Sequence, residues 1–161
     1  MMAKIADPHD ALPSFEKALK HGLISPKKCT VHPELAVLID DANGEMRITY
    51  ALIVGGKVKA TVAYLRAEPL HGEHCFQVGY AVAKPYRGKG IASDILIKSI
   101  NEMRHGFRAH LKQFYIEAVV GVDNLASKRV AEKVFTKDFE EIVDKASGLP
   151  ALQFVKLIST E

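Results

Sequence analysis

Apolar residues near the start of the chain recur with the spacing of a helix. These positions are Leu12, Phe15, Leu19 and Leu23. Spacings of three and four residues place them on one side of an amphipathic helix, and Gly22 and Pro26 end it. We therefore expect one short helix here, with its charged side chains on the outer face.

The following segment has the pattern of β-strands. Apolar and β-branched runs occupy residues 36–39, 48–54, 58–65 and 75–82. The pairs Asn43 with Gly44 and Gly55 with Gly56 separate the first three runs, and such pairs are strong hairpin signals. A polar loop over residues 68–73 precedes the fourth run, and Pro85 with the glycines after it ends that run. These features predict an antiparallel meander.

The period becomes helical again after residue 90. We expect Ile91, Ile95, Ile100, Met103 and Phe107 on one side of this helix, and Asp94, Lys98 and Glu102 facing away. Residues 114–122 are almost all apolar, which predicts a strand covered on both faces. A second helix over 125–135 and two strands over 139–146 and 151–158 follow. This order predicts a mixed α/β fold of the α+β type, in which helices flank a largely antiparallel central sheet.

Composition narrows the class of protein. The chain has 161 residues, of which 48% are apolar and 25% charged. That length suits one domain spanning residues 1–161. The proportions of apolar and charged residues exclude a disordered tail, a collagen-like fibre and a disulfide-stapled miniprotein. Its 22 Lys and Arg against 19 Asp and Glu give a net charge of +3. Without clustered positive charge, we expect no nucleic-acid partner.

Cysteine usage and apolar run length suggest the compartment. Cys29 and Cys75 are isolated, which predicts neither a disulfide framework nor a thiolate zinc site. His71 and His74 have no clear third ligand, so we expect no metal. The first ten residues include Asp7 and Pro8 where a signal peptide needs an apolar run, and no apolar run approaches the roughly 20 residues of a membrane span. We expect a cytoplasmic protein with no membrane partner.

The segment over residues 78–100 carries the most chemical information, because a strand runs through a glycine-rich turn into a helix. The first turn of a helix leaves backbone N–H groups without partners at the positive end of the helix dipole, which forms an anion site. Gly88 and Gly90 have no Cβ atoms to hold a phosphate away from these donors, and Arg87 and Lys89 add positive charge. The turn therefore predicts a phosphate or diphosphate cradle.

Spacing separates the phosphate-binding patterns that compete for this turn. A Walker loop needs two glycines five residues apart, followed by Lys and then Ser or Thr, and that arrangement is absent. A dinucleotide fingerprint would continue from Gly88 and Gly90 to Gly or Ala at position 93, which holds Ser93, and it would open a βαβ unit. The remaining alternative is a loop that only caps the helix.

The turn resembles the signature of the GNAT superfamily of acyl-CoA-dependent N-acetyltransferases. Residues 87–92 read Arg-Gly-Lys-Gly-Ile-Ala, which fits the family's Gln/Arg-x-x-Gly-x-Gly/Ala pattern. Residues 78–82 resemble its preceding strand, and residues 123–133 resemble its later helix that begins with Asn. The resemblance covers residues 47–158 and implies acetyl-CoA as co-substrate with an amine acceptor as partner. The oligomeric state is left open, with a homodimer among the alternatives.

The resemblance implies a set of coenzyme A contacts. The backbone of the turn would hold the diphosphate. The strand that precedes the turn would pair with the pantetheine arm at the point where this strand diverges from the strand ending near Val120. The Asn would also contact the pantetheine. The residues concerned are Ala81, Val82, Arg87, Gly88, Lys89, Gly90, Ile91, Ala92 and Asn124. An amide near Tyr80 or Ala81 would stabilise the oxyanion. Asn124 would also serve as the N-cap of its helix.

The acid and the base are harder to assign, because the chain departs from the family pattern twice. Ala131 stands where many members have a Tyr acid, and Phe76 stands where histone-type members have a Glu base. Strand alternation puts residues 74, 76, 78 and 80 on one face. His74 is then a candidate base, with a solvated His as the alternative.

Two further side chains are candidate proton donors. Tyr80 could protonate the leaving thiolate, although a packed strand Tyr is the alternative. Ser127 is a second donor near the thiol, unless it only faces solvent. An N-acetyltransferase that works by direct attack of a primary amine on acetyl-CoA is the leading hypothesis. The acceptor would be a small molecule or a protein or peptide N terminus. A non-catalytic acyl-CoA-binding or regulatory module with the same fold is the alternative.

Overall fold

The structure is a computed structural model, and it describes residues 8–161. Within these residues the elements are α1 (Pro8–Lys20), β1 (Lys27–Lys28), β2 (Leu35–Ala42), β3 (Glu45–Val54), β4 (Lys57–Leu70), β5 (Glu73–Val82), α2 (Ile91–Phe107), β6 (Gln113–Gly121), α3 (Leu125–Val134), β7 (Glu140–Val143) and β8 (Pro150–Ser159). A short 3-10 turn, Lys84–Tyr86, lies between β5 and α2.

The eight strands form one sheet in the order β1-β2-β3-β4-β5-β6-β8-β7. Every neighbouring pair is antiparallel except β5 with β6, which run parallel. A parallel pair needs a crossover connection, and α2 provides it. The predicted class is confirmed: this is a mixed α/β fold with a mostly antiparallel central sheet and flanking helices.

The helices cover opposite faces of the sheet. On β5, Phe76 and Val78 belong to the main hydrophobic core, together with Ile95 and Leu96 of α2. Ala81 lies on the other face of β5 and packs with Leu12 of α1 in a second, smaller cluster. Alternate strand residues face opposite sides, so α2 and α3 lie on one face, and α1 lies on the other face over β4 and β5.

The structure corrects the prediction that Glu102 faces away from the protein. Its side chain is only 7% exposed, and its carboxylate accepts hydrogen bonds from the backbone N–H groups of Val31 and His32. The loop before β2 therefore packs on α2 and surrounds this charge. A buried carboxylate is tolerated when backbone donors satisfy it, and helical periodicity does not reveal such partners.

Several element boundaries also differ from the sequence-based expectations. Leu23 lies beyond the end of α1 and is 75% exposed. The predicted loop over 68–73 belongs largely to a hairpin, because β4 continues to Leu70 and only His71 and Gly72 form the turn. The strand β6 alternates between buried and half-buried residues, so only one of its faces is fully covered.

Candidate active site

The sheet opens between β5 and β6. These two strands pair only over Cys75–Val78 and Tyr115–Ala118. Beyond that point β5 stays paired with β4 as far as Val82, and β6 stays paired with β8 as far as Gly121. The two strands therefore diverge after Val78 and Ala118 and leave a gap in the middle of the sheet.

A glycine turn lies at the end of β5, beside this gap. Gly88 and Gly90 have φ angles of 78° and 77°, in the left-handed region that side chains with a Cβ disfavour. Gly90 is the N-cap of α2, which begins at Ile91. The backbone N–H groups of the first turn of α2 therefore lie at this turn without helical acceptors, at the positive end of the helix dipole.

A cavity of about 400 Å³ joins the turn to the gap. The end of β5, the glycine turn, the start of α2 and the first turns of α3 form its wall, through Tyr80, Ala81, Val82, Tyr86, Arg87, Gly88, Gly90, Ile91, Ala92, Ser93, Asn124, Ala126, Ser127, Arg129 and Val130. Among the predicted coenzyme A contacts, only Lys89 is absent from this wall.

Arg87 fastens the turn to the strand before it. Its Nε atom donates a hydrogen bond to the main-chain oxygen of Val82 at 2.9 Å. Next to it, the Lys59 ammonium lies 4.9 Å from the centre of the Tyr86 ring, a cation–π contact. These contacts hold the turn in the shape that leaves the helix N terminus open toward the cavity.

Asn124 fixes the start of α3. Its Oδ1 atom accepts a hydrogen bond from the backbone N–H of Ser127 at 3.1 Å, the geometry of an N-cap. The side chain therefore has a structural role, and it also lines the cavity. Residues 126, 127 and 130 line the cavity from the same helix.

Tyr80 reaches across the cavity wall from β5 to α3. Its hydroxyl donates a hydrogen bond to the main-chain oxygen of Ser127 at 2.8 Å. Burial raises the pKa of Tyr80 well above its usual range, although the contact with Ser127 acts in the opposite direction. The phenol therefore stays protonated at neutral pH, so it can donate a proton but cannot act as a base.

Comparisons with known proteins decide the family. Residues 26–134 match the sequence profile of the acetyltransferase (GNAT) domain. The chain belongs to the GNAT family of acetyltransferases. No curated protein matches the sequence.

Three solved structures with the same fold differ in how much of their length aligns with this GNAT chain. An acetyltransferase of the GNAT family from Streptococcus pneumoniae is 15% identical, with a TM-score of 0.53 over 98% of this chain and 99% of the other. RimL, a ribosomal L7/L12 alpha-N-protein acetyltransferase, is 19% identical, with a TM-score of 0.52 over 70% of each chain. A protein from Bordetella pertussis classed as a GnaT-family acetyltransferase is 18% identical, with a TM-score of 0.50 over 67% of this chain and 64% of that one. At these identities the likeness shows the fold.

The sequence suggests three side chains for catalysis, and the structure places them in two different regions. Tyr80 and Ser127 meet at the cavity, whereas His74 lies at the opposite end of β5, about 20 Å away at roughly 3.3 Å per residue. The His74 ring contacts the Arg66 guanidinium at 3.1 Å. An acid or base must lie within hydrogen-bonding reach of the reacting atoms or of one bridging water, so the structure does not support His74 as the base.

Two positions that other GNAT members use for catalysis are part of the core here. Ala131 is fully buried on α3. Phe76 is buried too, and its ring stacks on Phe107 with 5.4 Å between centroids. Neither residue carries an ionisable group or lines the cavity, so an acid or base would have to come from another position.

Arg129 is a wall residue that the sequence interpretation missed. Together with Lys128 it reads as a solvated helix face; the Arg129 side chain is exposed, as that interpretation expects, and it also lines the cavity. Lys128 lies near Glu132 at 4.0 Å and over the Phe139 ring at 5.1 Å. The cavity residues 126, 127, 129 and 130 include pairs three and four residues apart, and this helical spacing is the signal that marks this part of α3.

Across residues 8–161, no three His, Cys, Asp or Glu side chains come together as a metal site. His71 instead packs against the Tyr115 ring, with 5.8 Å between centroids. None of the described helices is long and apolar enough to cross a bilayer.

Proposed function

We propose that this GNAT chain is an N-acetyltransferase that moves an acetyl group from acetyl-CoA to a primary amine, with residues 1–161 acting as one catalytic domain. The observation that supports this most directly is the cavity that connects the glycine turn with the gap between β5 and β6. A helix N terminus that favours anions and the backbone at the end of β5 thereby line one continuous space, which suits a long cofactor with an anionic end.

The residues around the cavity fit coenzyme A. The amides over residues 87–92 would hold the diphosphate, because the helix N terminus and the left-handed glycines bring donors to the surface without Cβ atoms between them. Arg129 would add positive charge from α3. The backbone of β5 at Ala81 and Val82 would pair with the pantetheine arm, since β6 no longer pairs with this part of β5.

The reaction would proceed by direct attack in a ternary complex. The lone pair of a neutral amine would form the N–C bond at the thioester carbon, and a backbone amide near Tyr80 or Ala81 would stabilise the oxyanion. The C–S bond then breaks and the electron pair leaves on sulfur. Holding both reactants in one site supplies much of the rate.

The leaving thiolate takes a proton from a group on the cavity wall. Tyr80 is the candidate with the best geometry, because its hydroxyl lies at the cavity and burial keeps it protonated. Ser127 lies beside it on the first turn of α3 and is a second donor. Solvent can also protonate a thiolate whose pKa is near 8 to 9, so we expect these groups to assist and not to be essential.

The acceptor is proposed only as a class. A primary amine of a small molecule or a free N terminus of a protein or peptide fits a site that opens in the middle of a sheet. RimL, which has the same fold, is by its description a protein alpha-N-acetyltransferase, and this supports including peptides among the acceptors tested.

A second candidate function is a non-catalytic acyl-CoA-binding module. The burial of Ala131 and Phe76 at the positions of the usual acid and base favours it. Such a module would keep the glycine turn and the cavity and would bind acetyl-CoA without turnover.

Release of free thiol from acetyl-CoA distinguishes the two functions. Purified protein is incubated with acetyl-CoA and, separately, with spermidine, lysine, phenethylamine and tetra-alanine, while calorimetry measures acetyl-CoA binding. Turnover with at least one amine, above the rate without amine, supports the enzyme. Tight binding without turnover for a wide amine panel contradicts the enzyme and supports the binding module.

A further inference from the structure

A carboxylate lies on the sheet face opposite α2 and α3, next to the gap. Glu117 of β6 stands in register with Gln77 of β5 and with Val155 of β8. Residues in register share a face of the sheet, so Glu117 lies on the same face as Gln77. Gln77 and Ala81 are both odd-numbered residues of β5 and therefore also share that face, and Ala81 packs on α1. Glu117 therefore projects from the face that α1 only partly covers, and it is half-buried there.

Glu117 has a hydrogen-bond donor, but it forms no ion pair with another described residue. Its Oε2 atom accepts a hydrogen bond from Nε2 of Gln153 at 2.9 Å. Among the residues that the structure describes, no Lys, Arg or His forms an ion pair with it. A half-buried carboxylate gains most from a partner that brings positive charge, and a protonated amine is such a partner.

The position of Glu117 relative to the gap suits an approaching amine. The last paired residue of β6 is Ala118, so Glu117 is one residue before the strands diverge. From Gln77, its neighbour on β5, three residues lead to Tyr80, which is about 10 Å at roughly 3.3 Å per residue. A glutamate side chain and one bridging water together span about that length when the carboxylate turns from Gln153 toward the gap.

The two faces of the sheet at the gap differ in which substrate can approach. The cavity walls on the α2 and α3 side belong to the glycine turn and to the first turns of both helices, where the cofactor is proposed to lie. On the opposite face, the β6 residues Tyr115, Glu117 and Val119 are only half-buried. An amine can therefore reach the gap from the face that carries Glu117 without displacing the cofactor.

We infer that Glu117 accepts the proton of the substrate ammonium through one water before attack, and this inference rests on the proposed function. An alkylamine with a pKa near 10 is almost wholly protonated at pH 7, so one proton must leave before nitrogen can attack. That proton goes to the Glu117 carboxylate and then to solvent. Of the other two N–H protons, one stays on the amide product, and one is released and balances the proton that the coenzyme A thiolate takes from the cavity wall or from solvent.

The test compares two Glu→Gln variants on the same sheet face. Glu117→Gln keeps the shape and removes the base. Glu73→Gln is the matched control, because Glu73 also lies on the odd-numbered face of β5 and accepts a hydrogen bond from a glutamine, Gln113, at 2.9 Å, far from the gap. For wild type and both variants, kcat and KM for acetyl-CoA are measured with the best amine of the panel from pH 6 to 10.

We expect Glu117→Gln to lower kcat about 100-fold or more at pH 7, the usual contribution of general acid–base catalysis, with KM for acetyl-CoA unchanged. Its rate should recover toward the wild-type value as pH rises, because solvent then supplies the neutral amine. The titratable neighbours that could imitate this profile are Cys75 on β5, Tyr115 on β6 and Glu140 on β7, so Glu140→Gln is measured as well and should match wild type.

The outcomes separate this inference from the function on which it rests. Wild-type turnover with an equally active Glu117→Gln would overturn the role of Glu117 and leave the acetyltransferase intact. A loss that is the same at all pH values, or that Glu73→Gln shares, would indicate a structural role and would also overturn it. Absence of turnover by the wild type with every amine would contradict the proposed function and the inference together.

Discussion

The hydroxyl of Tyr80 donates a hydrogen bond to the main-chain oxygen of Ser127 at 2.8 Å and so joins β5 to α3 at the cavity. In this chain the helix position that often carries a Tyr in relatives is the buried Ala131. A phenol therefore reaches the same cavity from the strand instead of from the helix. Because burial raises the pKa of Tyr80, its hydroxyl stays protonated throughout the pH range in which the enzyme would be assayed.

Replacing Tyr80 by Phe tests this donor. The Tyr80→Phe variant should bind acetyl-CoA with nearly unchanged affinity, while kcat falls about tenfold to 100-fold, less than the loss of an essential acid because solvent can protonate the thiolate. Calorimetry and steady-state thiol release measure the two quantities. Tyr64→Phe is the control, since Tyr64 also loses a hydrogen bond, to Ser99 at 2.7 Å, but lies in the core away from the cavity. If both variants lose the same activity, Tyr80 acts only through packing.

The glycine turn is tested with a pair of matched substitutions. Gly90 and Gly56 both have φ = +77°, and a Cβ added at either would meet no heavy atom within 4 Å. Gly90→Glu and Gly56→Glu should therefore lose a similar amount of stability, about 1–2 kcal/mol for a left-handed residue with a side chain. Only Gly90→Glu also puts bulk and negative charge beside the cavity.

We expect Gly90→Glu to abolish coenzyme A binding in calorimetry, while Gly56→Glu binds like the wild type. Urea denaturation measures the free energy of unfolding of both variants. Unchanged affinity in Gly90→Glu would show that the diphosphate does not lie at this turn. Loss of binding in both variants would mean that general destabilisation, and not the site, is responsible.

Local periodicity explains why most of the fold is predictable from sequence. The strands of the meander and the helix from Ile91 follow from alternation, helical spacing and the glycine turns, all of which act between residues close in the chain. The cavity wall around Gly88 and Gly90 can also be predicted from local sequence, because its backbone donors come from one continuous turn.

Long-range partners account for what sequence could not predict. Glu102 carries the charge expected of an outer helix face, yet its partners lie about 70 residues earlier in the chain. Glu117 sits in an apolar strand, and its place beside the gap depends on where β5 and β6 stop pairing. His74 appears on the same face as Tyr80 when alternation is counted, but the length of β5 separates the two. Periodicity gives the face of a residue, and only the assembled sheet gives its distance from the site.

The carboxylate of Glu102 should be important for stability. It accepts hydrogen bonds from the N–H groups of Val31 and His32, so Glu102→Ala would leave two backbone donors without this acceptor. We expect a loss of about 2–4 kcal/mol in the free energy of unfolding, measured by urea denaturation. Glu34→Gln is the control, because the Glu34 ion pair with Lys98 at 3.4 Å is partly exposed to solvent and such pairs contribute little. An equal effect of both substitutions would contradict a specific role for the buried carboxylate.

The two cysteines should be unreactive in the folded protein. Burial raises the pKa of both Cys29 and Cys75 to about 12, and the thiolate is the reactive form. At pH 8 a thiol-specific chromogenic reagent should therefore modify neither residue in the native protein, but both in urea. Rapid modification of either thiol before unfolding would contradict this.

The raised pKa values of the two cysteines also affect how the free energy of unfolding depends on pH. Both thiols have a higher pKa in the folded protein than their ordinary value of 9.0. The folded state thus favours the neutral form, and the associated stability is complete below pH 9 and is lost as pH rises toward 12. Urea denaturation at pH 8 and pH 10.5 should show the decrease, and Cys29→Ala should reduce the difference between the two values. Equal pH dependence in wild type and Cys29→Ala would mean that other groups, such as the tyrosines, cause the alkaline loss.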